Sequence, residues 1–133
     1  QNIPSPQTTS NKPTMASNPS IHKAVQDNDI DRLERLISRG GNIEERDHDG
    51  QTPLYIAALN GKLDVVKFLV EMKANIEAKH NYGYTPLGCA AYNGYLDVVK
   101  FLVGMKANIE AKDNRGETPL GCAAYLGNLD VVK

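Results

Sequence analysis

The sequence predicts an all-α solenoid, in which stacked helix-turn-helix units are joined by β-turn or hairpin fingers. Three observations predict it. The triplet Thr52-Pro53-Leu54 returns as Thr85-Pro86-Leu87 and again as Thr118-Pro119-Leu120, 33 residues further on each time. Most of the surrounding unit returns with it: residues 60–70 are matched by 93–103, and 72–79 recur unchanged at 105–112. Neither helix of the unit reaches the roughly 12–15 residues that an isolated helix needs. The copies must therefore stack and bury their cores against one another.

The elements follow in order. Residues 1–16 are rich in Pro, Ser, Thr, Asn and Gln and are expected to form a disordered leader. Residues 17–48 form a degenerate first copy, with Ile21, Ala24, Leu36 and Ile43 one step back from Leu54, Ala57, Leu69 and Ile76. Pro19-Ser20 replaces Thr-Pro there, and Arg35 stands where later copies have Phe68 and Phe101. A more polar first unit suits a solvent-facing cap. Residues 49–81 are the second copy. Thr52 is placed to cap a helix with its hydroxyl, and Pro53 suits the first helical position, where no amide partner is lost. Leu54, Ala57 and Ala58 give a narrow apolar face, and Gly61 supplies a turn. A second helix over about residues 63–72 is apolar around much of its girth, as a helix between neighbours must be. Asp64 sits in its first turn, where the helix dipole favours negative charge. Residues 82–114 repeat this unit, and residues 115–133 begin a fourth that stops inside its second helix. That register reads as a piece of a longer protein.

The pattern resembles the ankyrin repeat. The family carries Gly-x-Thr-Pro-Leu-His-x-Ala-Ala, then Gly-His-Leu-Glu-Val-Val and Gly-Ala-Asp-Val-Asn. This chain has Gly50-Gln51-Thr52-Pro53-Leu54-Tyr55-Ile56-Ala57-Ala58, then Gly61-Lys62-Leu63-Asp64-Val65-Val66, then Lys73-Ala74-Asn75-Ile76-Glu77. The likeness covers roughly residues 17–133. It implies a turn, helix, turn, helix, loop unit whose turn tips and first helices form a concave binding surface. It also locates departures. The family His is Tyr55, Gly88 and Gly121 here, which weakens the support of the Thr hydroxyl. Gly88 and Gly121 each cost a short helix roughly 1 kcal/mol against Ala. The family Gly after the second helix is Lys73 and Lys106, strained if the left-handed backbone is kept, whereas the first copy has Gly40. Glu77 and Glu110 stand where many ankyrin repeats carry an Asn that is hydroxylated, so that modification is not expected here.

The formal net charge of -1, from 15 basic and 16 acidic residues, favours neither nucleic acid nor a membrane surface as partner. No apolar stretch approaches the ~18 residues of a membrane span. Cys89 and Cys122 are one period apart, but equivalent points on stacked helices lie about 8–10 Å apart, too far for a disulfide. They read as small buried residues in a reducing, intracellular and cytoplasmic setting. His22, His48 and His80 offer no closely spaced ligand pair and read as solvated turn histidines, so no metal or cofactor is expected. Asp27, Asp29 and Asp31 alternate as calcium ligands do, but lack the following Gly and Glu; they read as a polar turn. Lys67, Lys100 and Lys133, with Asp64, Asp97 and Asp130 three residues before each, read as a solvated, ion-paired outer face.

The copies differ mainly at the turn tips (His48, Asp49, Gln51; Asn81, Tyr82, Tyr84; Asn114, Arg115, Glu117) and, on the first helices, at Leu59, Tyr92 and Tyr125, followed by Asn60, Asn93 and Leu126. Turn tips also drift where nothing packs on them. Yet by the resemblance these positions meet partners, and Tyr and Arg are enriched at binding hot spots. Tyr82, Tyr84, Tyr92, Arg115 and Tyr125 are the candidate partner-binding residues. The expected function is a non-catalytic, monomeric scaffold that holds another protein. The alternative is a targeting or regulatory arm of a larger protein whose enzyme, channel or effector domain lies elsewhere.

Overall fold

The computed structural model describes residues 19–119. Among the described residues six α-helices follow in three pairs: α1 (Pro19–Gln26) with α2 (Ile30–Ser38), α3 (Pro53–Leu59) with α4 (Leu63–Glu71), and α5 (Pro86–Asn93) with α6 (Leu96–Gly104). No strand occurs among the described residues. α1, α3 and α5 pack side by side, α4 packs on α6, and each first helix packs on its own second.

Helix starts follow the predicted chemistry. The Thr52 hydroxyl accepts from the Tyr55 amide at 3.1 Å, and the Thr85 hydroxyl from the Gly88 amide at 3.0 Å. The loss of the family His therefore leaves both caps intact. Asp29 caps α2 by accepting from the Arg32 amide at 3.0 Å, which gives the alternating aspartates a turn role.

Helix ends repeat one device. After α2, Gly41 N–H donates to Leu36 O and Gly40 N–H to Ile37 O; Ala74 and Lys73 do the same to Leu69 and Val70, and Ala107 and Lys106 to Leu102 and Val103. This is a Schellman closure, whose penultimate donor must adopt the left-handed backbone. Gly40 has φ 94°, and Lys73 and Lys106 both have φ 72°. The strain expected of the two lysines is present.

The core runs in columns along the stack. Ile21, Leu54 and Leu87 are buried one above the next, beside Ala24, Ala57 and Ala90. Burying each large member is worth about 1.5–3 kcal/mol, and the alanines let the first helices approach. Val65, Val66 and Leu69 on α4, and Val98 and Leu102 on α6, close the second layer.

The outer face differs from its expected pairing. Asp64, Lys67, Asp97 and Lys100 are exposed, but no ion pair joins them among the described residues. Lys67 Nζ instead lies 5.9 Å from the Phe101 ring centroid, and Asp97 Oδ1 accepts from the Val98 amide at 2.8 Å. Exposed pairs gain little against the entropy of fixing two side chains. The predicted leader lies outside the described residues.

Candidate partner-binding face

Three fingers precede the first helices or follow the last pair, and their tips are tied in a row. In the first, Asp47 Oδ1 accepts from the amides of Asp49 and Gln51, both at 2.9 Å. In the third, Asp113 Oδ1 accepts from Arg115 at 2.8 Å and Glu117 at 2.9 Å. The middle finger has His80 in that column, and its Nδ1 accepts from the Tyr84 amide at 3.1 Å. Neighbouring fingers are joined by Asn81 N–H to Asp49 O and Asn114 N–H to Tyr82 O, each 3.2 Å. Lower down, the Arg46 guanidinium donates to Lys79 O and the Lys79 ammonium to Lys112 O. Glu44 and Glu77 each accept the amide one unit on, from Asn75 at 2.7 Å and Asn108 at 2.8 Å.

Gly50 and Gly83 are demanded twice over. Each has positive φ (77° and 88°), and a Cβ on either would run into the side-chain amide of the next finger's Asn81 or Asn114. That close approach holds the row of tips together.

On this scaffold four of the five candidate residues converge. The rings of Tyr55 and His80 stack at 4.7 Å between centroids, and His80 stacks on Tyr84 at 5.2 Å. Tyr82 meets His80 edge-on at 5.6 Å, and Tyr84 lies 5.9 Å from Tyr92 on α5. Arg115 Nη2 donates to the Tyr84 hydroxyl at 2.8 Å and to Glu117 Oε1 at 2.9 Å. The result is an aromatic ledge from finger to first helix, braced by the next finger. Its outer members remain open: Tyr82 is 73% exposed and Tyr92 38%. Its base is closed. Tyr55 is buried, and burial, then the neighbouring Cys89, pushes its phenol above the ordinary tyrosine range.

A family model for ankyrin repeats in three copies matches residues 21–113, and one for ankyrin repeats in many copies matches residues 94–133. The chain belongs to the ankyrin-repeat family. No curated protein matches it. Ankyrin repeats generally mediate protein–protein interaction.

In this ankyrin-repeat chain the fifth candidate, Tyr125, and Cys122 lie outside the described residues. Two histidines depart from the solvated role expected of them. His22 is buried, with Nε2 3.1 Å from Gln51 O. His80 is half-buried between Tyr55 and Tyr84, because an aromatic on each side removes its water. Only His48 of the three is exposed. The sequence signal for His80 was its register: it stands in the column of Asp47 and Asp113. Tyr55 was likewise legible only as a missing His. Asn93, beside Tyr92, spends its side-chain amide on Leu59 O at 3.0 Å, tying α5 to α3. Cys89 is buried as expected, its Sγ 3.3 Å from Pro86 O, and burial pushes its thiol above the ordinary range, away from a reactive thiolate.

Among the described residues no three His, Cys, Asp or Glu side chains gather as a metal site, and no helix is long and apolar enough to cross a membrane.

Proposed function

We propose that the chain is a protein-binding scaffold that seats its partner on the ledge formed by Tyr82, Tyr84, Tyr92 and Arg115, with Tyr125, the counterpart of Tyr92 one repeat on in the sequence, as a further contact. The observation that carries this reading is the pairing of exposure with rigidity. Tyr82 and Tyr92 present aromatic surface to solvent, while stacking on His80 and the hydrogen bond from Arg115 fix Tyr84 between them. Rigid aromatic anchors lose little conformational entropy on binding, which is why such residues dominate interfaces.

The test compares two variants of the full chain in affinity capture from the source cells. Changing Tyr82, Tyr92 and Tyr125 together to Ser should remove a captured protein that the outer-face pair Lys67→Ser and Lys100→Ser retains. Loss of one hot spot of at least about 2 kcal/mol weakens binding roughly 30-fold, so three should abolish capture. Retained capture by the triple variant, with its helical circular dichroism intact, would overturn the choice of face.

A further inference from the structure

Three fingers share one architecture, and one of them is built with a different acceptor. In each, the first-column residue donates its own amide to the carbonyl four residues on: Asp47 to Gln51, His80 to Tyr84, Asp113 to Glu117. In each, its carbonyl accepts the amide of the finger glycine, Gly50, Gly83 or Gly116. Its side chain then accepts the amide of the residue four on. In the outer fingers that acceptor is a carboxylate oxygen. In the middle finger it is an imidazole nitrogen. Nδ1 accepts only when it carries no proton, so the Tyr84 amide is held only by the neutral Nε2–H form.

We propose that His80 is a proton-operated latch on the middle finger: neutral, it locks Tyr84 and the aromatic ledge in place, and protonated, it releases the Tyr84 amide and loosens the ledge. The latch concerns the chain's own conformation and does not depend on what the ledge binds.

The surroundings set its direction. Tyr55 on α3 and Tyr84 on its own finger cover the two ring faces, and Tyr82 meets it edge-on. Burial among them holds the imidazole below its ordinary range, and hydrogen bonding to the Tyr84 backbone, then the Asp49 carboxylate of the preceding finger, oppose that without reversing it. Lys79, the adjacent cation, points its ammonium to Lys112 O. Arg115 reaches the cluster through the Tyr84 hydroxyl. A histidine neutralised in the folded state binds fewer protons there than in the unfolded chain. Stability is therefore full above the unfolded value near 6.5 and is lost as pH falls from there toward the lower folded value.

The replacement that isolates the latch is already written in the neighbouring fingers. His80→Asp supplies the same acceptor without the neutral-range titration. His22 and His48 remain in both proteins, so the difference between them reports His80. Two measurements on the full chain test the proposal. In native protein, nitrogen NMR should find His80 as the Nε2–H tautomer at pH 7.5, titrating below 6.5, with the Tyr84 amide resonance shifting at the same midpoint. In thermal melts from pH 7.5 to 5.0, the native chain should lose more Tm than H80D. An Nδ1–H tautomer, a midpoint at or above 6.5, an unmoved Tyr84 amide, or parallel melt profiles would each overturn the latch.

Discussion

Replacing Lys73 and Lys106 with Gly should stabilise the fold, although it removes two complete side chains. Both lysines sit at the left-handed position of a Schellman closure with φ 72°, where Gly40 closes the first pair. A side chain in that conformation costs about 1–2 kcal/mol. Glycine returns part of this, since the freer unfolded chain loses about 0.4–1 kcal/mol more on folding. The net gain is about 0.5–1 kcal/mol per site, or about 1–2 kcal/mol for the pair. For a domain of this size that shifts Tm by roughly 4–16 °C. Urea unfolding of the full chain is the assay: the midpoint should rise with the slope unchanged, which separates a stability change from a change in cooperativity. The converse substitution, Gly40→Lys, should lower stability by a similar single-site amount. A Cβ at Gly40 meets nothing within 4 Å, so only the backbone can be responsible. A double-glycine variant no more stable than the native chain, or a neutral Gly40→Lys, would refute the strain argument.

Two further glycine changes should move in opposite directions. Gly88→Ala on α5 should stabilise by up to about 1 kcal/mol, because its Cβ would meet only Thr85 Oγ1 at 3.4 Å and Tyr84 Cδ1 at 3.8 Å; a fall in the urea midpoint would show that this space is already taken. Gly83→Ala should destabilise by roughly 1–3 kcal/mol, since φ is 88° and the new Cβ would lie 2.8 Å from the Asn114 amide nitrogen; a thermal melt matching the native chain would contradict the close approach of the fingers.

Repetition made most of the scaffold legible. Thr-Pro marked the starts of α3 and α5 because a capping hydroxyl and a residue with no amide to lose are local requirements. The strained lysines were legible through register, by comparison with Gly40. The ledge was only partly so. Tyr82, Tyr84, Tyr92 and Arg115 stood out as differences between copies. The contacts joining them depend on side-chain rotamers that no spacing rule supplies, as with Arg115 reaching back 31 residues to the Tyr84 hydroxyl. His80 departs from a solvated role because its counterparts one repeat away are Asp47 and Asp113, not His22 or His48. The outer-face pairing failed for a different reason: spacing permits Asp64 to meet Lys67, but an exposed ammonium gains as much over the Phe101 ring.

The central claim is that partners meet the ledge and not the outer helices. Site-specific photocrosslinking in the source cells tests it most directly, with a photoreactive phenylalanine placed at Tyr82 in one protein and at Lys67 in another. The account predicts a discrete crosslinked protein from position 82 and none from position 67. A crosslink from position 67 alone would place the partner on the opposite face and contradict the account.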